Sequence, residues 1–322
     1  MLFITNGDSA AVRIEASGLT GEILQWRDVL HEGPVPDGLS LEELSDVRAR
    51  FLAQRGWTSL VRARRDFARR DAALASYGDH EEVVLFFEHD LYDQVQLIQV
   101  LDWFSARDLE GTRLSLVQTD EYLGTIGQER LLALFRDRRE TTVEQLDLGS
   151  TAWRAFRSPD PTAVLEAIEA GTRALPFLAP VLRRHLEQFP STVNGLSRSE
   201  EQALEAIAGG KSTLQEAFAA HQEREEPMFL SDAVFASYLE DLSDAREPLV
   251  LLEGGGRIGD PVREGLWEQE IVLTPRGREV LSGDRDRVRL NGIERWLGGV
   301  HLSGETPWRW DRSTQTLKRD AA

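Results

Sequence analysis

Hydrophobic positions in the first 150 residues alternate between short continuous runs and longer stretches with helical spacing. The short runs predict buried strands at residues 2–5, 22–26, 83–87 and 113–118. The stretches between and after them predict helices at residues 10–17, 40–55, 58–76, 91–104 and 127–138. Strands that alternate with helices favour right-handed crossovers and a parallel sheet. We therefore expect residues 1–150 to form an α/β, Rossmann-like domain with an open, mostly parallel sheet.

The second half of the chain is mostly helical and ends in short strands. Residues 151–190 predict a helical connector, and "FPSTVNGLSRSEE" (189–201) predicts a boundary. Helical patterns at 198–208, 212–222 and 230–242 precede "PLVLLEGGG" and "EIVLTPRGREVL", which predict strand, turn, strand and helix. Three helices before a two-stranded ribbon is the order of a winged helix. We expect a winged-helix-like α+β domain at 191–283 and a tail with short strands at 284–322.

Composition limits the class of protein. The 322 residues are 41% hydrophobic, which allows about two domains with real cores. The net charge of −18 repels nucleic acid and anionic membranes overall, although a local basic patch could still bind. The chain has no cysteine, so disulfides, zinc–thiolate sites and cysteine catalysis are excluded. With no signal peptide or run of ~20 apolar residues, a cytoplasmic protein without membrane contact is expected.

Polar residues follow each predicted strand of the first domain. In open parallel sheets, ligands bind outside the carboxyl ends of the strands. If the sheet forms, all the polar groups lie at one edge of it. They are Asn6-Gly7-Asp8-Ser9, then Arg27-Asp28 with His31-Glu32, then Glu88-His89-Asp90 with Asp93, and finally Asp120-Glu121.

Each group also has a purely structural interpretation. Asp8 or Ser9 could cap the first helix, and Asp90 with Asp93 resembles a capping box. Arg27 beside Asp28 could be a local ion pair, and His31 could hold a loop. "GDS" at 7–9 is similar to the SGNH esterases, but these need an Asp-x-x-His pair near the end of the domain, where this chain has none.

The functional interpretation uses the same residues as a phosphate and metal site. Gly7 would let a ligand approach, the helix start after Ser9 would offer N–H groups, and Arg27 would clamp a phosphate. Carboxylates at Asp8, Glu88 and Asp90 would suit Mg²⁺, and His31 or Glu32 could act as acid or base. The candidate catalytic residues are Asp8, His31 and Asp90. The candidate ligand-binding residues are Asn6, Gly7, Ser9, Arg27, Asp28, Glu32, Glu88, His89 and Asp93.

Charge separates two further segments. An arginine-rich helical pair predicts a solvated face or, alternatively, an arm that attracts a phosphorylated metabolite or RNA; its arginines are Arg48, Arg50, Arg55, Arg62, Arg64, Arg65, Arg69 and Arg70. The third helix of the winged-helix-like domain carries Asp and Glu without Lys or Arg. Because a recognition helix needs donors for bases and phosphates, DNA binding through it is not expected.

Four segments together resemble the bacterial domain of unknown function 1835 family. They are "TNGDSAA" (5–11), "WRDVLHEGPVP" (26–36), "FFEHDLYDQVQL" (86–97) and "AWRAFRSPDP" (152–161). The match covers roughly residues 1–165, and "LTPRGREVL" and "RWLGGVHL…WRWD" look like the C-terminal half that accompanies it. The resemblance implies a cytoplasmic bacterial protein with an α/β N-terminal domain, and it supplies no activity or catalytic residues.

Two functional hypotheses follow. In the first, the edge of the N-terminal sheet binds a phosphorylated small molecule or nucleotide; the sequence does not identify a cofactor, and Mg²⁺ is one that these residues would suit. If this site is enzymatic, metal-assisted phosphoryl or glycosyl transfer or hydrolysis suits its residues best. In the second, the protein is a non-enzymatic regulator or adaptor that binds a protein partner through the winged-helix-like domain.

Overall fold

The computed structural model describes residues 1–109, 111–259, 265–304 and 307–319. Its N-terminal elements are β1 (Leu2–Thr5), α1 (Asp8–Ala16), β2 (Glu22–Gln25), β3 (Gly33–Pro34), α2 (Leu41–Gln54), α3 (Leu60–Ala75), a 3₁₀ turn (Tyr77–Asp79), β4 (Glu82–Phe87), α4 (Leu91–Ser105), β5 (Arg113–Gln118), α5 (Gln128–Arg136) and β6 (Arg139–Glu140). They are followed by α6 (Val143–Arg157), α7 (Thr162–Ala170), α8 (Leu178–Leu186), α9 (Arg198–Ala208), α10 (Leu214–Gln222), α11 (Asp232–Asp244), β7 (Val250–Leu252), β8 (Ile271–Leu273), α12 (Pro275–Leu281), α13 (Arg287–Asn291), β9 (Ile293–Gly298), β10 (Val300–Gly304), β11 (Trp308–Asp311) and β12 (Thr316–Arg319).

The main sheet has the strand order β2-β1-β4-β5-β6. The first four strands are parallel and β6 is antiparallel to β5. This confirms the predicted α/β fold with a mostly parallel sheet. The chain runs from β1 outward to β2 and later returns to place β4 on the other side of β1. The gap between β1 and β4 is therefore a point where the strand order reverses, and such points are where open α/β sheets bind ligands.

The sheet is covered on both faces, which explains why its strands are continuous apolar runs. Leu2, Ile4 and Leu85 pack toward α4 in the largest apolar cluster. Their strand neighbours Phe3 and Val84 point the other way, into a separate cluster that includes α1 and α5 side chains. Both faces are thereby buried, and only the strand ends remain for a ligand.

Helix α6 packs against α4 on the larger face of the sheet. A Cβ atom at Gly149 would lie 2.5 Å from the Cβ of Leu101, so the close approach of the two helices needs glycine at this position. Helices α7 and α8 continue the layer. The part of the chain between the sheet and the C-terminal half is therefore helical, as the pattern predicts.

Three helices, α9 to α11, and an antiparallel ribbon of β7 and β8 come next, in the predicted order. An isolated bridge joins Thr213, at the start of α10, to Glu270, just before β8. The remaining strands form two antiparallel hairpins, β9–β10 and β11–β12. Residues 305, 306 and 320–322 of the predicted tail lie outside the described residues.

One hairpin of the predicted tail pairs with the N-terminal half. Strand β9 pairs in parallel with β3, so that Gly33 lies opposite Leu297 and Pro34 opposite Gly298. The short break "GPVP" is thus the pairing edge for a hairpin more than 250 positions away. Among the described helices, none is long and apolar enough to cross a membrane.

The arginine-rich pair, α2 and α3, is only partly a solvated face. Arg50, Arg64 and Arg65 are exposed, in surface ion pairs with Asp46 or Asp66. Arg48 and Arg70 are buried, however, and both hold the helices onto the rest of the domain. The prediction of a simple solvated face is therefore wrong for these two arginines.

Candidate functional site

A cavity of about 510 Å³ lies at the carboxyl ends of β1 and β4, where the strand order reverses. We call it the rim cavity. Its lining from the N-terminal half comprises Asn6, Gly7, Asp8, Ser9, Ala10, Glu88, Asp90, Tyr92, Asp93, Tyr122, Gly124 and Thr125. Its lining from the C-terminal half comprises Gln222, Met228, Phe229, Leu230 and Ser231. Seven of the predicted site residues therefore meet in one cavity.

Three carboxylates in the cavity wall form what we call the carboxylate cluster: Glu88, Asp90 and Asp93. Each is buried, and each can place one oxygen so that the three oxygens lie within 4.8 Å of one another. The local sequence causes this arrangement. Asp90 is the N-cap of α4 and accepts a hydrogen bond from the Asp93 N–H (3.0 Å), and this cap brings the two side chains to the same side of the helix start.

Amide groups, rather than cations, hold the carboxylate cluster. The Asn6 side-chain amide donates to Glu88 Oε1 (3.1 Å) and to Asp93 Oδ2 (2.7 Å). The Leu123 N–H donates to Glu88 Oε1 (2.8 Å), and the Glu88 N–H donates to Asp93 Oδ1 (2.6 Å). Asn6 thus links the end of β1 to the end of β4 directly across the reversal point.

The cluster differs from every other buried acid among the described residues, because each of those forms an ion pair with Arg or Lys. The pairs are Asp28–Arg48, Glu32–Arg295, Glu82–Arg138, Glu200–Arg287, Glu225–Arg184 and Asp311–Lys318. Within the described ranges, no ion pair joins Glu88, Asp90 or Asp93 to a cationic side chain. Negative charge in the rim cavity is therefore uncompensated by the protein.

This arrangement shifts the pKa of all three groups upward. Burial, together with the nearby Glu88 charge, raises the pKa of Asp90 to about 8. Burial, and then the charges of Asp90 and Glu88, raise the pKa of Asp93 well above its ordinary value. Burial also raises the pKa of Glu88, against the hydrogen bonds from Leu123 and Asn6. A cation bound among the three groups would favour their ionised forms.

The start of α1 forms the opposite wall. Gly7 is its N-cap, and among the described residues no side chain caps it. The prediction that Asp8 or Ser9 caps this helix is therefore wrong. The first N–H groups of this nine-residue helix lie beside the cavity without a capping side chain, in the position that favours an anion. Gly7 has φ 176°, an extended backbone conformation that any residue can adopt. Its contribution is the absence of a side chain, which leaves room in the cavity.

Arg27 and Asp8 form an ion pair with each other. Arg27 Nη2 lies 2.5 Å from Asp8 Oδ1, and the two side chains are 50% and 69% exposed. The predicted pairing of Arg27 with Asp28 is wrong, because Asp28 turns inward to Arg48 Nε (2.9 Å). Arg27 does not line the rim cavity within the described residues; it lines a neighbouring one.

The predicted site residues after β2 do not line the rim cavity. Asp28 is buried against Arg48, whose guanidinium also donates to the carbonyls of Val29 and Glu32. Glu32 accepts from Arg295 Nη2 (2.8 Å) and from the Tyr238 hydroxyl. The chain turns under α2 here because β3 pairs with β9. Asp28 therefore fixes α2 within the N-terminal half, and Glu32 joins the two halves of the molecule.

His31 is buried next to the cavity wall. Its ring lies 6.0 Å from Tyr92 and 5.2 Å from Phe229, centroid to centroid, and both of these side chains line the cavity. Neither ring nitrogen has a hydrogen-bond partner among the described residues. Burial, followed by the Arg48 charge, lowers the pKa of His31 well below its ordinary value, so the ring is neutral at pH 7. Asp28 and His31 have the Asp-x-x-His spacing of the SGNH esterases. Asp28 is paired with Arg48, however, and does not contact His31 as a catalytic partner would.

His89 lies at the edge of the site, between Tyr122 (5.4 Å) and Phe177 (5.8 Å). Partial burial lowers its pKa. Sequence reasoning missed Tyr92, Tyr122 and the 222–231 segment that closes the cavity. Tyr122 holds this segment through a hydrogen bond from the Met228 N–H (2.6 Å). Tyr92 lies within the acidic segment "EHDLYD", so its position in the sequence could have identified it as a site residue. Nothing in the sequence of the 222–231 segment indicated that it lines the cavity.

The family models and the curated proteins were compared with this chain. Neither the protein-family models nor the curated proteins contain a match to this chain. The resemblance of four segments to the domain of unknown function 1835 family stays a prediction.

Proposed function

We propose that the rim cavity binds a divalent cation together with a phosphorylated small molecule or nucleotide. The observation that carries the proposal is that Glu88, Asp90 and Asp93 are buried together without a cationic partner in the described chain, whereas every other buried acid there has one. A divalent cation supplies the missing positive charge. Carboxylate oxygens are the ligands that Mg²⁺ prefers, and Mg²⁺ is commonly shared between carboxylates and substrate phosphates.

The start of α1 supplies the anion side of the proposed site. A phosphate between the cation and the free N–H groups after Gly7 would meet positive charge on both sides. Without the cation, the same phosphate would face three carboxylates. Cation and phosphate are therefore expected to bind with positive cooperativity, and this is the thermodynamic signature of the proposal.

If turnover occurs, the site suits metal-assisted phosphoryl or glycosyl transfer or hydrolysis. A cation in the cluster would polarise a phosphate oxygen. Of the three candidate catalytic residues, Asp90 has the best position to hold the cation, because it belongs to the carboxylate cluster. Asp8 is exposed and paired with Arg27, and His31 is behind Tyr92 and Phe229.

The adaptor hypothesis is less well supported, because part of helix α11 is already in contact with the N-terminal half. Arg55 Nη1 donates to Asp241 (3.0 Å), and Trp57 Nε1 donates to the Ser237 hydroxyl (3.1 Å). Asp241 of α11 thus has a partner in the N-terminal half. A protein partner at this part of the helix would have to replace the contacts with Arg55 and Trp57.

A thermal-shift experiment tests the proposal with MgCl₂, MnCl₂, nucleotides and sugar phosphates, singly and in pairs. A ligand at 100 times its Kd stabilises the folded state by about 2.7 kcal/mol, so a rise of several degrees in Tm is expected with Mg²⁺. A larger rise is expected with Mg²⁺ and a phosphate compound together.

Asp90→Asn should abolish the Mg²⁺ shift and keep the helix cap, because Asn caps as well as Asp. Asp147→Asn, an exposed acid on α6, is the matched control and should keep the shift. The proposal fails if no cation shifts the Tm of the folded protein, or if Asp90→Asn responds to Mg²⁺ as the wild type does.

A further inference from the structure

A second cavity, of about 600 Å³, lies beside the rim cavity. It is bounded by the end of β2, by α2 and α3, and by the start of α11. We call it the arginine cavity. Its lining comprises Gln25, Arg27, Val29, Leu52, Trp57, Thr58, Ser59, Arg62, Ala63, Asp66, Phe67, Arg70, Ser231, Ala233 and Val234. Its volume is in the range of small-molecule sites, and the proposed function does not use it.

The walls of the arginine cavity combine an apolar surface with positive charge. Trp57 and Phe67 offer aromatic faces, and Val29, Leu52 and Val234 add aliphatic surface. Three arginines line the cavity with one acid, Asp66. The rim cavity has the opposite sign, because its lining carries four acids and no Arg or Lys among the described residues.

Arg70 is the buried arginine in the lining of this cavity. It is 4% exposed, and its guanidinium lies over the rings of Trp26 (4.2 Å) and Phe67 (4.6 Å). Its Nε donates to Asp71 (2.9 Å) and its Nη2 to the Ser45 hydroxyl (2.9 Å). Its Nη1 is buried and has no hydrogen-bond partner among the described residues. Arg70 therefore contributes buried positive charge to the wall of the cavity.

The other two arginines are held loosely. Arg27 pairs with exposed Asp8, and Arg62 lies 3.6 Å from Asp66 with a 70% exposed side chain. Exposed pairs of this kind contribute about 0–1 kcal/mol, so both guanidinium groups can exchange their partners for a ligand at little cost.

We propose that the arginine cavity is a second ligand site, which takes a small organic anion with a flat apolar body. The anionic group, a carboxylate, sulfonate or phosphate, contacts the arginines, whose planar donors match such oxygens. The flat body packs on Trp57 and Phe67. This site is independent of the proposed cation site and needs no metal.

The test uses 8-anilinonaphthalene-1-sulfonate, an aromatic sulfonate whose fluorescence rises in apolar sites, in buffer with EDTA. The wild type should bind one equivalent saturably. Arg62→Glu should weaken binding at least about tenfold, which corresponds to about 1.4 kcal/mol. Arg69→Glu makes the same change on the same helix, at an exposed residue outside the lining, and should change the affinity less than about twofold. Both variants are checked for folding by circular dichroism.

Competition tests the apolar part of the proposal. Salicylate should displace the probe, and inorganic phosphate at the same concentration should not. The proposal is overturned by non-saturable binding, by equal weakening in Arg62→Glu and Arg69→Glu, or by equal displacement with phosphate. Asp90→Asn should bind the probe like the wild type, so failure of this site and failure of the cation site give different results.

Discussion

Glu32 and the carboxylate cluster are both buried acids near the end of the sheet, but the fold treats them differently. Glu32 has Arg295 and Tyr238 as partners, and this contact joins the N-terminal half to α11 and β9. Glu88, Asp90 and Asp93 have only neutral donors, and the pKa of each is raised. Where a buried carboxylate supports the fold, it has a cation from the chain. The rim cavity is the place where the cation would have to come from outside.

The largest expected effect is at the compensated site. Arg295→Ala leaves Glu32 buried without its cation, so the free energy of unfolding should fall by about 3–5 kcal/mol. Urea denaturation at pH 7 measures it. Arg113→Ala is the control, because Glu82 keeps its contacts with Arg138 (2.8 Å and 2.9 Å). The unfolding free energy of this variant should fall far less. Equal losses in the two variants would contradict the structural role of Glu32.

In the carboxylate cluster, substitution of a charged residue is expected to raise the unfolding free energy rather than lower it. Asp90→Asn removes a charge that burial disfavours and keeps the cap of α4. One pKa unit corresponds to about 1.4 kcal/mol, and the shift of Asp90 covers several units, so metal-free Asp90→Asn should be more stable than the wild type by a few kcal/mol at pH 8. Urea denaturation in EDTA measures this difference. A less stable variant would show that the cluster needs the Asp90 charge for folding.

The pH dependence of that difference sharpens the comparison. The pKa of Asp90 is higher in the folded state, about 8, than in the unfolded state, about 3.9. The folded state therefore holds more protons between these values, and the Asp90 contribution to stability falls as pH rises from about 4 to about 8. The gain from Asp90→Asn should be small at pH 4 and level off above pH 8. A gain that is independent of pH would exclude this cause.

Asn6 tests the neutral donors of the cluster. Asn6→Ala removes the amide that bonds Glu88 and Asp93, and it should lower the unfolding free energy by about 1–3 kcal/mol. Asn6→Asp instead adds a fourth acid and should cost more than Asn6→Ala at pH 8 in EDTA. If the cluster binds a cation, saturating Mg²⁺ should narrow the gap between the two variants. An unchanged gap would place the cation elsewhere.

The smallest effect is expected at the exposed pair. Asp8→Asn breaks the ion pair with Arg27, and both side chains are at least half exposed, so the loss of stability should be below about 1 kcal/mol. Thermal shift with Mg²⁺ should still show stabilisation of this variant. Loss of the Mg²⁺ shift in Asp8→Asn would make Asp8 a ligand and would replace the cluster proposed above.

The arrangement of strands and helices could be predicted from the sequence because it depends on local rules. Short continuous apolar runs predicted β1, β4 and β5. Parallel strands bring their carboxyl ends to one edge of the sheet, so the polar residues after them were expected at that edge. The approach of Glu88, Asp90 and Asp93 also follows from local structure, because a strand end and the first turn of the next helix hold them.

The partners of the charged residues could not be predicted in this way. Arg27 contacts Asp8 rather than its neighbour Asp28, and the acids of α11, which suggested only repulsion from DNA, include a partner for Arg55. These contacts join residues up to 186 positions apart. They depend on how the halves of the molecule pack, and periodicity carries no information about that.

The sequence by itself determined the mostly parallel sheet and the acidic end of β4, because each depends on residues close in the chain. The strand order, with its reversal between β1 and β4, was decided by the tertiary structure. Only the tertiary structure decided which polar residues meet. Arg48 holds Asp28 and Arg295 holds Glu32 away from the rim cavity, and the 222–231 segment lines it. The tertiary structure also places no arginine beside the carboxylate cluster in the described chain. Every other buried acid there is paired with a side chain from a distant segment, except Asp311, whose partner Lys318 is close in sequence.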